Sequence, residues 1–398
     1  MSLNKLILFV LPFALIASSA FGQSSEDSSR PAPSNLQTFL DQTHLGGYGE
    51  MTYKRPSVGD VPRLNLPRIV LYIDHDFSDR WVFKSEFEVE NVKLERAAGG
   101  ELGFEQAFLD YHANQHIGWR GGLILIPMGI INQTHEPNTF YSVERPLFDQ
   151  QVIPTTWREI GTGIYGDITE GVKYQLYLTE GLQAADITMG GLDGGKQEGS
   201  AGDATSDLVA GSDASHPALS MKLDYLPLAG LRVGLAGYVQ PNAFAEMQPI
   251  DTPMAVSRTL GMAILDARYE HGPLHVRGEV GFVHLVDSVV NPGPKYFSGG
   301  YFEAAYNVLS LWPNHEAELL PFVRYEHMTA YRRATGSTLI LEGDNLVAGA
   351  GDIVTSSFVA GIAFKPLDAI IFKIDYRITS IDGKADYKQF SLGGGFAF

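Results

Sequence analysis

Hydrophobic and polar residues alternate with a period of two along most of this chain. Between Trp81 and Asn91 one face carries Trp81, Phe83, Ser85, Phe87 and Val89, and the other carries Val82, Lys84, Glu86, Glu88 and Glu90. Successive side chains of a strand point to opposite faces, so the segment predicts a strand with one apolar and one charged side. Arg68–Phe77 reads the same way, with Ile69, Leu71, Ile73 and Phe77 together, and Ser78-Asp79-Arg80 joins the two as a tight turn. The pattern recurs in sixteen segments, at about residues 45–54, 68–77, 81–91, 104–113, 119–126, 161–168, 173–179, 218–226, 231–240, 259–270, 274–285, 299–308, 319–328, 353–365, 370–379 and 388–398.

The connections alternate as well. Ser78–Arg80, Asn114–Gly118, Thr169–Gly171, Pro227–Gly230, Gly272-Pro273 and Pro366–Ala369 are short. Val92–Gly103, Pro127–Ile160, Glu180–Pro217, Pro241–Arg258, Val286–Ser298 and Thr329–Asp352 are long. A soluble sandwich has no reason to alternate in this way, whereas an outer-membrane barrel does, with short periplasmic turns and long external loops. Leu309–Glu318 is the exception, long for a periplasmic turn. Apolar runs such as Leu123–Ile126 are broken by Pro127 or Gly129, and only a closed barrel crosses a bilayer without helices. The expected fold class is therefore all-β: a transmembrane antiparallel β-barrel of sixteen strands with long external loops. Trp81 and Trp119 open strands after short turns and Trp312 lies in a turn, positions that suit a periplasmic aromatic girdle, with interior packing as the alternative.

The N-terminus sets the compartment. Lys5 precedes the apolar run Leu6–Ile16 and the small residues Ala17-Ser18-Ser19-Ala20, the order of a secretory signal peptide. Cleavage is placed after Gly22, with Ser18-Ser19-Ala20 a nearby alternative and an uncleaved membrane anchor the competing reading. Domains are then a signal peptide (1–22), a periplasmic N-terminal segment (23–42) and a barrel (43–398), exported to the bacterial outer membrane.

Composition narrows the function classes. The 398 residues hold 29 Lys and Arg against 46 Asp and Glu, a formal charge of −17. That acidity argues against a nucleic-acid partner. The absence of cysteine excludes disulfides, thiol nucleophiles and thiolate metal sites.

Phe390, Leu392, Gly394, Phe396 and Phe398 share one face of the last segment, and the chain ends in phenylalanine. An alternating final strand ending in Phe resembles the assembly signal of bacterial outer-membrane barrels, which implies Phe396 and Phe398 as that signal and the barrel assembly machinery as a partner. Asn132–Gly166, Gly46–Glu50 and Phe358–Tyr376 resemble the porins related to phosphate-selective porins O and P. That resemblance implies a third loop, about 127–160, folded into the pore, trimers, and small hydrophilic solutes or ions, anions such as phosphate among them.

Strand parity gives the lumen-facing charges. Basic candidates are Arg68, Lys84, Lys173, Lys222, Arg232, Arg268, Arg277, Arg324, Lys373 and Arg377; acidic ones are Glu86, Glu88, Glu90, Asp224, Asp266, Glu279, Glu303, Glu326 and Asp375. Selectivity follows rings of one sign, and these lists nearly balance. An anion ladder needs basic residues on adjacent strands; Arg232, Arg268 and Arg277 come closest. In the third loop, Glu144, Arg145, Arg158 and Glu159 either line the constriction and set a transverse field or touch the barrel wall while Pro137, Pro146 and Pro154 stiffen the loop. His135-Glu136 supplies too few groups for a metal on its own. Gly190–Gly202 reads as a mobile external loop. The expected protein is a porin without catalysis or cofactor, embedded in outer-membrane lipid. A barrel phospholipase or protease and a plugged structural barrel stand as alternatives, although no nucleophile-elbow motif is present.

Overall fold

The computed structural model describes residues 36–57, 61–90, 101–182, 187–188, 191–192, 214, 216–245, 256–287, 294–312, 316–332, 339–342, 345–348 and 351–398. The expected signal peptide and most of Gly190–Gly202 lie outside them. Two units separate, residues 1–42 and Thr43–Phe398. In the first, a short helix α1 spans Leu36–Asp41.

The second unit is a closed antiparallel barrel of sixteen strands. Counting barrel strands only, these are β1 Thr43–Pro56, β2 Arg63–Asp76, β3 Trp81–Glu90, β4 Glu101–His112, β5 Gly118–Leu125, β6 Arg158–Thr169, β7 Val172–Thr179 and β8 Ala218–Leu228. They continue as β9 Leu231–Ala245, β10 Val256–His271, β11 Leu274–Asp287, β12 Pro294–Tyr306, β13 Glu318–Arg332, β14 Gly351–Leu367, β15 Ile370–Ile381 and β16 Tyr387–Ala397. Each strand pairs with its neighbour in the chain, and β1 pairs with β16 to close the cylinder. At that seam Phe398 donates its N–H to the Gly47 carbonyl at 2.9 Å, and the Gly47 N–H returns the bond to Phe398 at 3.0 Å.

The period-two pattern now has a physical meaning. Ile69, Leu178, Val280, Phe302, Ile374 and Phe396 all point outward and are exposed on the protein's own surface. Each large apolar side chain left in water forgoes about 1.5–3 kcal/mol, so a continuous apolar band around the cylinder requires a lipid surround. Among the described residues no helix is long and apolar enough to cross a membrane. Trp81, Trp119 and Trp312 are exposed at the short-turn rim, where Trp81 and Trp119 meet edge to face at 6.1 Å. A 3₁₀ segment, Val308–Leu311, opens the connection after β12, and the Asn307 side chain accepts from the N–H groups of both Leu309 and Leu319.

The structure departs from the sequence reading chiefly at the long-loop ends, where strands run further than the apolar alternation does. Arg158 and Glu159 are the clearest case. They were expected in the third loop, yet they open β6, paired in register with Leu125 and Ile124. Ladder hydrogen bonds belong to the backbone, so pairing continues where side-chain patterning stops.

Candidate functional site

The connection from Ile126 to Trp157, the third loop, turns into the barrel lumen, and about two thirds of it is buried. Its neck is closed by a bond from the Ile126 N–H to the Trp157 carbonyl at 2.9 Å. Asn132 clamps the same neck. Its amide donates to the carbonyls of Ile126 (2.8 Å) and Trp157 (2.9 Å), and its Oδ1 accepts from the Trp157 N–H (2.7 Å).

One side of the loop is held by apolar packing. Ile126, Met128, Phe148, Val152, Ile153 and Trp157 form a buried cluster with lumen-facing residues of β9–β13, among them Tyr238, Met262, Ile264, Val283 and Tyr301. The Trp157 indole packs on Tyr238 with centroids 4.6 Å apart and donates to Glu159 at 2.8 Å, which also accepts from the Tyr238 hydroxyl at 2.8 Å. On the opposite wall the last strand makes room by having no side chains: a Cβ built at Gly395 would stand 2.6 Å from Pro137, and one at Gly393 3.2 Å from Val143.

The rest of the loop is held through its own backbone. A loop inside a barrel buries N–H and C=O groups that need partners, and the lumen charges supply them. Glu279 accepts from Ile130 N–H, Asp375 from Val143 and Glu326 from Leu147, while Lys222 donates to the Gly129 carbonyl, Arg68 to His135, Arg277 to Thr139 and Lys373 to Ser142. Gly129 sits at φ 65°, and a Cβ there would meet Glu279 at 2.5 Å. Across a strand register that runs Arg232, Arg268, Arg277, Glu303, Arg324, Val359 and Arg377, five arginines share one row over β9–β15. Sequence parity placed Arg232, Arg268 and Arg277 on the lumen face, but only pairing register shows them side by side.

Most of these cations are matched by carboxylates. Arg277 meets Glu303 at 2.5 Å, Arg324 meets Glu303 at 3.1 Å and Glu326 at 2.9 Å, and Arg232 meets Asp266 at 3.0 Å and Asp224 at 3.5 Å. Lys222 stands 3.5 Å from Asp266, and Arg68 2.9 Å from Glu50. Arg268 is half-buried with Glu270 at 3.9 Å, and Lys84 is exposed on the lumen face without an ion pair among the described residues.

The four expected constriction residues are not brought together. Glu144 is bound to Lys54, to Arg377 at 3.4 Å and to Gln389 at 2.9 Å. Burial pushes its carboxyl up, and Arg377 and Lys54 more than offset that, leaving it below the ordinary value. Arg145 is buried and donates to Thr156 at 2.9 Å; burial first, and Arg68 second, push it down to about 10. Glu159 is buried against Trp157, and Arg158 forms no ion pair with either acid. Arg145 and Glu159 are thus both buried, Arg145 against Thr156 within the loop and Glu159 against Trp157 and Tyr238. Sequence reasoning also missed Asn132, whose role rests on contacts with the loop's two ends. Phe396 and Phe398 lie on the outer face with rings stacked 6.4 Å apart. His135 finds its partner in Glu105 of β4, Nε2 to Oε1 at 2.8 Å, and not in its neighbour Glu136.

No family model matches the chain. A protein of Aquifex aeolicus described as uncharacterized is 30% identical over 372 residues, covering 90% of this chain and 79% of that one. Among solved structures, a loop L8 deletion mutant of OmpT, an outer membrane protein of Vibrio cholerae, is similar with a TM-score of 0.59 at 10% identity, covering 89% of this chain and 99% of that one. The trimer form of the same protein gives 0.57 at 10% identity, with coverage of 89% and 99%. The outer membrane channel DcaP of Acinetobacter baumannii gives 0.54 at 12%, covering 89% and 97%. OmpF of Salmonella typhi in complex with daunomycin gives 0.56 at 11%, covering 90% and 99%. At these identities the likeness carries the outer-membrane barrel fold.

Proposed function

For a chain that belongs to one family with the Aquifex aeolicus protein, we propose the function of an outer-membrane porin that passes small hydrophilic solutes and ions by diffusion, without catalysis or cofactor. The observation that carries this reading is the pairing of an apolar outer face with a charged lumen in a closed sixteen-stranded cylinder. Sixteen strands enclose space for water, where eight would be filled by side chains. The lumen-facing charges of Lys84, Arg268, Lys173 and Arg232 retain exposure below the loop, in keeping with a wet vestibule. An N-terminal signal peptide, assembly through a terminal Phe396–Phe398 signal and a homotrimer complete the proposal; the trimer form of the Vibrio protein supports the last.

The phosphate label of porins O and P is the finer part of this reading. The arginine row favours anions as solutes, but Glu303, Glu326, Asp266 and Glu144 neutralise most of it. Fixed charges select only where they are unpaired, so weak anion preference without a saturable phosphate site fits the geometry.

Purified protein in a planar bilayer, with reversal potentials in asymmetric salt, tests this. Stepwise conductance with modest selectivity supports the porin. A second reading, a plugged barrel, is favoured by the loop's attachment to wall after wall. A silent wild type that conducts once residues 133–155 are replaced by a short linker would establish that reading instead.

A further inference from the structure

A β-bulge in β4 turns one extra carboxylate into the lumen. Glu86 pairs in register with Gln106 and Phe87 with Phe104, which leaves Glu105 as the additional residue. Bulges re-aim side chains in this way. Glu105 is fully buried, Glu86 lies beside it on β3, and His135, 3% exposed, reaches both from the third loop. One ligand atom from each of the three lies within 4.8 Å of the others.

The imidazole is oriented with a bare nitrogen toward the acids. Its Nδ1 lies 3.0 Å from the Asn132 carbonyl, which can only accept, so Nδ1 carries the proton. In the neutral ring Nε2 is then a lone pair facing Glu105 Oε1 at 2.8 Å. Two acceptors at that distance repel unless something positive sits between them. A proton on Nε2 would make the ion pair that this separation describes; neither atom meets a partner at hydrogen-bonding angles, so a divalent cation can take that proton's place between them. Glu86 Oε2 is likewise buried without a partner, while its Oε1 accepts from Gln106 at 2.6 Å.

We propose that Glu86, Glu105 and His135 bind a divalent transition-metal ion that pins the third loop to the barrel wall. Tetrahedral Zn–N and Zn–O bonds of about 2.0–2.2 Å put neighbouring ligand atoms about 3.3–3.6 Å apart, between the 2.8 Å His135–Glu105 contact and the 4.8 Å that spans the three atoms. A backbone carbonyl holding the far ring nitrogen, and an amide holding the far carboxylate oxygen, are the outer supports such ligands use. One imidazole with two carboxylates suits Zn2+ or Mn2+. Arg68 does not fill the role: it is engaged by Glu50 at 2.9 Å and by the His135 carbonyl at 2.7 Å. This site stands independently of conduction.

The test is a calorimetric titration of the folded, EDTA-stripped full chain with Zn2+, and with Mn2+ in parallel. One ion per chain is expected, with His135→Gln and Glu105→Gln each weakening binding about tenfold or more. A wild type that binds neither ion at one equivalent overturns the proposal, as do variants that bind like the wild type. Should both variants lose the barrel, as read by gel migration before boiling, two measurements remain. Glu86→Gln must weaken binding, and X-ray absorption of the Co2+-loaded wild type must show one imidazole nitrogen; failure of either overturns it.

Discussion

Asn132 grips the backbone of Trp157 from both sides, accepting its N–H at 2.7 Å and donating to its carbonyl at 2.9 Å. A third bond reaches Ile126, so one amide ties together the points where the loop leaves β5 and enters β6. All three residues are buried.

Asn132→Ala is therefore expected to leave the Trp157 N–H without its partner, at about 1–3 kcal/mol, while the carbonyls of Ile126 and Trp157 keep their bonds from the Met128 and Ile126 N–H groups. The barrel keeps its strands because none of its ladders passes through Asn132. Protease cleavage between residues 133 and 155 should become faster and channel noise should rise, at unchanged far-UV circular dichroism. Wild-type cleavage rates would show that the apolar cluster alone holds the loop.

Acid should release the loop at Glu144. Burial raises its carboxyl, and Arg377 and then Lys54 outweigh that, so its folded value lies below the unfolded one. The stabilisation is complete above the unfolded value of about 4.3 and is lost as pH falls through the lower folded value. Conductance or thermal stability should thus hold down to about pH 4 and change below it, and Glu144→Gln should remove that step.

Selectivity should respond to Arg268 and not to Arg145. Arg268 is partly exposed with its acid 3.9 Å away, whereas Arg145 is buried against Thr156. Arg268→Ala is expected to move the reversal potential toward cations, while Arg145→Ala lowers loop stability and leaves the potential within a few millivolts, since buried groups do not face the solute path. The opposite ranking would put the constriction at Arg145 after all.

Gly395→Val should displace the loop from the last strand. The added Cβ would sit 2.6 Å from Pro137, too close for any side chain. Because β15 and β1 pair with β16 through backbone groups alone, the barrel should still close. A larger conductance with normal assembly is expected, and wild-type conductance would show that the loop end yields without cost.

The strands were legible because lipid outside and water inside impose alternation residue by residue. Trp81–Glu90 shows it within a single strand, and β3 has those bounds. The loop's anchors were not legible. Ile130 meets Glu279 and Val143 meets Asp375 across 149 and 232 residues of chain, and nothing local in either sequence marks the match. Glu105 was hidden for another reason: period-two counting assumes an unbroken ladder, and the bulge in β4 shifts the count by one. The lumen glycines were a usable signal. Gly393 and Gly395 on a face otherwise made of Gln389 and Ser391 leave space that something must fill.

The seam between Gly47 and Phe398 carries a kinetic consequence. It joins the two barrel strands farthest apart in the chain, so its closure bears the largest loop-closing entropy of any pairing in the protein. Until that step, β1 and β16 both present open hydrogen-bonding edges, which in an aqueous compartment invite pairing with other chains. Folding and escape from aggregation therefore finish together, when Gln389–Ala397 and then Phe398 seat along β1.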